Sequence, residues 1–134
     1  MNKNEQLEYN QLCAKLLGAT PEQWYPPNKD NRISGVHWSF PFGNWYPNNQ
    51  RYHPEIGLNF HSDWNWIMEI ISKIESIENS RYYVSILEQE CSIIDKVAAS
   101  NEENPFMIEP VSFSDDKTKK DAVVKCIYHF LKNM

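Results

Sequence analysis

All five tryptophans of this chain lie within residues 24–66, together with most of its prolines, three of its four glycines and three of its four histidines. Proline removes a backbone donor and glycine loosens the chain, so this stretch reads as irregular backbone rather than continuous helix. Aromatic rings carry large contact area at low side-chain entropy. A dense cluster of them on such backbone marks either a loop-built core or a recognition surface.

The chain has 134 residues, a single-domain length that buries roughly two thirds of the unfolded surface around one core. The expected organisation is one domain over residues 1–134, with an aromatic, proline-rich insert at residues 19–54. A formal charge of −5 argues against a protein that neutralises many phosphates, so no nucleic-acid partner is expected. Cys13, Cys91 and Cys126 each stand among apolar neighbours with no short paired spacing, which reads as buried, reduced thiols and a reducing compartment. The N-terminal residues lack the apolar run of a signal peptide, and no segment approaches the ~18 consecutive apolar residues of a membrane span. A cytoplasmic location without membrane association is the expectation.

Three segments have a helical period. In residues 5–17, Leu7, Tyr9, Leu12, Cys13, Leu16 and Leu17 form a stripe, with Asn4 as N-cap and Gly18 placed to end the helix. In the second, Ser62 is the expected N-cap, Asp63 adds charge to the first turn, and Trp64, Ile67, Met68, Ile70, Ile71, Ile74 and Ile77 make a broad face that must be buried. The third covers residues 115–132, capped by Ser114, with Val123, Val124, Ile127, Phe130 and Leu131 inward. Between the last two, residues 81–87 and 91–95 are β-branched and aromatic runs joined by Glu88, Gln89 and Glu90, as in a hairpin. Further extended pieces are expected at residues 33–40 and 55–61, where Ile56, Leu58 and Phe60 alternate with polar or small residues. An edge strand is expected at residues 106–113, since Pro105 and Pro110 would not be tolerated centrally. The pattern predicts an α+β fold: an antiparallel sheet packed by three helices in the order α-β-β-α-β-β-α, as a single compact domain.

The segments FHSDWNWIMEIISKIESI, RYYVSILEQECSIID and DAVVKCIYHFLK, in that order, resemble a group of small phage and prophage proteins, chiefly from Bacteroidetes. That group shares a Trp-x-Trp helix start after a short polar cap, an Ile- and Glu-rich helix and a closing apolar helix; some members are described as an αβα phage sandwich domain. The resemblance covers roughly residues 56–133 and rests mostly on core positions. It implies a viral or prophage accessory protein in the host bacterial cytoplasm, and it transfers no catalytic residue. Residues 24–54 are longer and more aromatic than is typical of the group.

Within the insert a short unit repeats: Trp24-Tyr25-Pro26-Pro27-Asn28 and Trp45-Tyr46-Pro47-Asn48-Asn49. Each unit places two rings before a proline that restricts the preceding residue to extended backbone. One reading is a pair of stacking platforms for a planar ligand, a nucleobase or a sugar, or for side chains of a partner protein. The other is that the Trp-Tyr pairs anchor a long loop onto the sheet. Trp64 and Trp66, two apart on a helix, cannot share a face; Trp64 is expected to meet the insert and Trp66 to sit near the helix-sheet boundary. Arg51 follows the second unit closely enough to set a cation beside rings, which suits a small planar anion. The candidate contacts are Trp24, Tyr25, Trp45, Tyr46, Arg51, His53 and Trp64.

Other polar groups of the region are Arg32, His37, Glu55, His61 and Asp63. His53, Glu55, His61 and Asp63 would share one face of an extended strand, but the tight Cys/His pairs of zinc sites are missing, and no metal or cofactor is expected. His61 beside Asp63 has acid-base residue types without a partnered nucleophile, so no catalytic residue is assigned. Lys117, Lys119 and Lys120 are balanced by Asp115, Asp116 and Asp121, as on a solvated face. The favoured expectation is a non-enzymatic phage or prophage accessory protein that binds a small nucleotide-like ligand or a host defence protein, with homo-oligomerisation left open. The alternatives are a small hydrolase or metal-dependent enzyme using His53, His61 and Asp63 with Arg51 as anion anchor, and a structural or assembly protein.

Overall fold

The computed structural model describes residues 1–24, 35–101, 103 and 109–134. Among these residues the architecture is α+β, with four α-helices and two three-stranded antiparallel sheets. The chain clusters into two compact units, Met1–Phe60 and His61–Met134. The strands are thus divided between two sheets rather than gathered in one.

The first unit opens with α1 (Lys3–Leu16), which begins two residues earlier than its apolar stripe suggests. The reason is a capping box in which the Asn2 side chain accepts from the Glu5 N–H at 2.8 Å while Glu5 accepts from the Asn2 N–H at 3.1 Å. Gly18, at φ 85°, provides the left-handed residue that turns the chain out of the helix. Tyr9, Cys13 and Ala14 are its fully buried side chains. β1 (Thr20–Trp24), β2 (Gly35–Ser39) and β3 (Tyr52–Pro54) then form a sheet in that order. β1 and β3 fall where insert or loop was expected, because each short strand has only β2 to pair with and carries little period of its own. Trp38, Phe40, Leu58 and Phe60 are buried in this unit.

Residues 55–61 are not a strand. Pro54 has no N–H with which to extend the ladder, and a single turn of 3-10 helix (Glu55–Gly57) follows it, leaving Ile56 93% exposed. Leu58 and Phe60 stay buried, so the alternation survives without the strand.

The second unit holds α2 (Trp64–Ser80), β4 (Tyr82–Leu87), β5 (Glu90–Asp95), a short α3 (Lys96–Ser100), β6 (Ser112–Asp115) and α4 (Lys119–Lys132). The expected hairpin is present, tightened so that Leu87 pairs with Glu90 across Glu88 and Gln89. β6 pairs with the other edge of β5, from Glu90↔Asp115 to Ile93↔Ser112. That pairing draws Ser114 and Asp115 into the sheet, so the last helix begins at Lys119 with Thr118 as N-cap instead of at 115 with Ser114. The edge strand is thereby shifted past Pro110; the expected span 106–108 lies outside the described residues, as do Ile33 and Ser34.

Asp63, not Ser62, caps α2, accepting from the Asn65 N–H at 2.8 Å. Trp66, Ile67, Ile70, Ile71 and Ile74 are buried, whereas Met68 is 48% exposed, because the apolar face is narrower than the sequence implies. The right-handed helix ends where Ile77 becomes extended, and Glu78, Asn79 and Ser80 follow with φ of 48°, 58° and 61°. Cys91, Ile93, Ser112 and Ser114 face α4, where the Ser112 hydroxyl donates to the Cys126 carbonyl at 2.7 Å. Arg81 holds buried Asp95 through Nε at 3.0 Å and Nη2 at 2.7 Å, and Asp95 in turn accepts from the Val97 and Ala98 N–H groups to cap α3.

Candidate functional site

One face of the first sheet gathers rings from all three strands. Successive residues of a strand point to opposite faces, and the register places Glu22 opposite His37, Trp24 opposite Gly35 and Ser39 opposite Tyr52. Trp24, His37 and Tyr52 therefore share a face. Gly35, at φ 93°, has no side chain to contest the space across from Trp24, and the indole lies diagonally on the His37 ring at 4.1 Å with 8° between planes. Tyr52 meets the same indole at 5.7 Å, tilted by 52°. The indole N–H donates to Glu22 at 3.2 Å, which fixes its rotation.

Arg51 continues this cluster outward. Its Nε donates to the Phe40 carbonyl at 2.8 Å and its Nη1 to the Tyr52 hydroxyl at 2.8 Å. Its guanidinium lies over the Phe42 ring at 3.5 Å and over the Tyr52 ring at 5.1 Å. Phe42 is 75% exposed between Pro41 and Gly43, and Tyr52 is 43% exposed. A guanidinium carries five N–H donors in a rigid fork. Two are used, and the Nη2 edge has no partner among the described residues. The arrangement is a fixed cation between two accessible rings, continuous with a Trp-His stack.

The opposite face of this sheet is structural. Trp38 is buried, and its indole N–H donates to the Glu55 carboxylate at 3.1 Å; Gln11 on α1 donates to the same oxygen at 2.9 Å. His53 is 4% exposed, with Nε2 at 2.8 Å from the Pro47 carbonyl and 2.9 Å from that of Gln50. Its ring pins the turn over Pro47–Asn49, whose Asn48 and Asn49 adopt φ of 53° and 59°, a conformation that asparagine tolerates.

Of the residues singled out in the sequence, Trp24 and Arg51 are brought into one cluster through Tyr52. Trp45 and Tyr46 are half-buried on the approach to buried Pro47. His53 is turned inward, Trp64 is 36% exposed at the first turn of α2 in the other unit, and Trp66 is buried. Tyr25 and Arg32, with the rest of 25–34, lie outside the described residues. Phe42 and Tyr52 stand outside the sequence candidates, and His37 is among them only as a polar group. The signal for Phe42 was local: an aromatic residue between proline and glycine sits on a turn, where it has little to pack beneath.

The His and carboxylate grouping is divided between the two units, with His53 and Glu55 in the first and His61 and Asp63 in the second. Asp63 is engaged in capping, burial lowers the pKa of His61, and Glu55 is held by Trp38 and Gln11. Among the described residues, no three His, Cys, Asp or Glu side chains converge on a metal-sized position. No helix among them is long and apolar enough to cross a membrane. No protein-family model matches the chain, nor does any curated protein or solved structure compared with it.

Proposed function

We propose that this protein is a binding protein whose recognition surface is the Phe42–Arg51–Tyr52 sandwich together with the Trp24–His37 stack, and that its ligand is a small planar anion of the nucleotide type. The observation that carries the reading is the geometry of Arg51. Its guanidinium is oriented by two hydrogen bonds and covered by Phe42 at 3.5 Å, while Phe42 itself is largely exposed. A guanidinium held beforehand loses little entropy on meeting a phosphate or carboxylate, and the exposed phenyl ring beside it offers contact area at low side-chain entropy. The rings supply stacking surface for a base, and the Nη2 edge supplies charge-assisted hydrogen bonds.

The wider role, a phage or prophage accessory protein of the bacterial cytoplasm that acts on a host small molecule or a host defence protein, rests on the resemblance over residues 56–133. The test is a thermal-shift and calorimetric screen of mono-, di- and cyclic nucleotides against the purified protein. At least one is expected to bind. Arg51→Ala and Tyr52→Ala should each weaken that ligand by ~1–3 kcal/mol, the scale of a charged hydrogen bond or a base-aromatic stack. Absence of binding across the panel, with a host protein captured through the same residues instead, would replace the small ligand by a protein partner. Binding unaffected by either substitution would place the site elsewhere.

A further inference from the structure

Among the described residues, helix covers one face only of the second sheet. Tyr82 meets Phe130 of α4 edge-on at 5.1 Å, and Ser112 and Ser114 hydrogen-bond to α4, so the helix lies on the face that buries Cys91 and Ile93. The other face, formed by the alternate residues, is open. It carries Tyr83, Leu87 and Phe113, exposed by 41%, 67% and 48%. Antiparallel sheets tolerate one solvated face when that face is polar; here its rows are half apolar.

The charges of this face are segregated along the strands. Ile94 pairs with Tyr83 in one row, and Ser92 lies between Ser85 and Phe113 in the next. Beyond the first row, past the end of the ladder, stands exposed Lys96, the first residue of α3, whose N–H donates to the Arg81 carbonyl at 2.7 Å. Beyond the second, Glu90 pairs with Asp115, both exposed. Lys96 and Glu90 are equidistant from the level of residue 93, between the two rows.

We infer that this face is the contact between two copies of the chain, stacked sheet on sheet about a two-fold axis that runs across the strands at that level. Such an axis reverses the strand direction and exchanges the rows. Lys96 of each copy then stands over the Glu90–Asp115 pair of the other, and each Tyr83 stands over the small Ser85 of the other copy. The surface is complementary to itself in charge and in size, which is what an isologous interface requires. A partner of uniform charge would meet a like charge at one end.

Sedimentation equilibrium of the full chain tests this. A concentration-dependent dimer is expected, lost on Phe113→Glu or Tyr83→Glu while circular dichroism and melting temperature stay at wild-type values. Lys96→Glu should raise the dimer Kd by about tenfold or more through like-charge contact, and Lys96→Glu combined with Glu90→Lys should restore much of the affinity. A chain that remains monomeric up to about 1 mM, weaker than any specific dimer of use, would overturn the inference. So would a dimer indifferent to Phe113→Glu, or a double variant no tighter than Lys96→Glu alone.

Discussion

Substituting Ile74 tests the packing of α2 quantitatively. Ile74 is fully buried in the last regular turns of the helix, and Met68, on the same helix, is 48% exposed. Ile74→Ala removes three carbon atoms from a closed environment. At about 0.8 kcal/mol per buried methylene the transfer term is about 2.4 kcal/mol. An unrelaxed cavity adds to this, placing large-to-small core substitutions at ~2–5 kcal/mol. The higher helix propensity of alanine returns a few tenths of a kcal/mol, so a net loss of about 2–4 kcal/mol is expected. Met68→Ala, by the same reasoning, should change stability by less than about 1 kcal/mol. Urea denaturation followed by far-ultraviolet circular dichroism reads both variants as a shift in midpoint at constant slope. A loss below about 0.5 kcal/mol at Ile74, or equal losses at the two positions, would refute the assignment of the buried face.

Ser80 adopts φ 61°, a left-handed conformation costing an L-residue roughly 1–2 kcal/mol, so Ser80→Gly should leave stability unchanged or raise it by up to about 1 kcal/mol despite the freer unfolded chain. A melting temperature clearly below wild type would contradict this. The Arg81 guanidinium, followed by the Ala98 and Val97 N–H groups, holds the Asp95 carboxyl down to about 2 against partial burial. A depressed folded-state value means stability present above the unfolded carboxylate range and lost as pH falls from about 4 toward 2, so the stability gap between wild type and Asp95→Asn should close over that window; a gap independent of pH would remove Asp95 as its cause. Glu55→Ala leaves the buried Trp38 indole N–H without its acceptor and should destabilise by ~1–3 kcal/mol, checked by chemical denaturation, with an unchanged midpoint as the contrary result.

The α+β class and, in the second unit, α2, the β4–β5 hairpin and α4 are legible because their periods are strong, whereas the five-residue α3 (Lys96–Ser100) is too short to show one. The Ile-rich run permits only a helix, and the runs on either side of Glu88 and Gln89 permit only strands. Boundaries failed where tertiary pairing competes with local preference. Ser114 is a sound N-cap residue, yet its pairing with Cys91 takes it into β6 and leaves Thr118 to cap α4. β1 and β3 were illegible for a different reason: TPEQW and YHP have no period to read, and they are strands only because β2 lies between them. The candidate surface was half visible. Aromatic density points to the stretch that holds this cluster, and Trp24 and Arg51 are among the sequence candidates, but the repeated Trp-Tyr-Pro unit points equally to Trp45 and Tyr46, which are half-buried. Cross-strand register, absent from any local pattern, is what brings His37 and Tyr52 to Trp24.

The claim that Phe42, Arg51, Tyr52, Trp24 and His37 form one recognition surface is tested most directly by titrating a nucleotide that binds in the screen into isotope-labelled protein and mapping the shifts of amide, indole and guanidinium resonances. The largest changes should fall on the Trp24 indole, the Arg51 side chain and the amides of Phe42 and Tyr52, with those of β5 and α4 unmoved. Perturbations centred on α2 or on the second sheet, with the Trp24 indole and Arg51 resonances unshifted at saturation, would contradict the account.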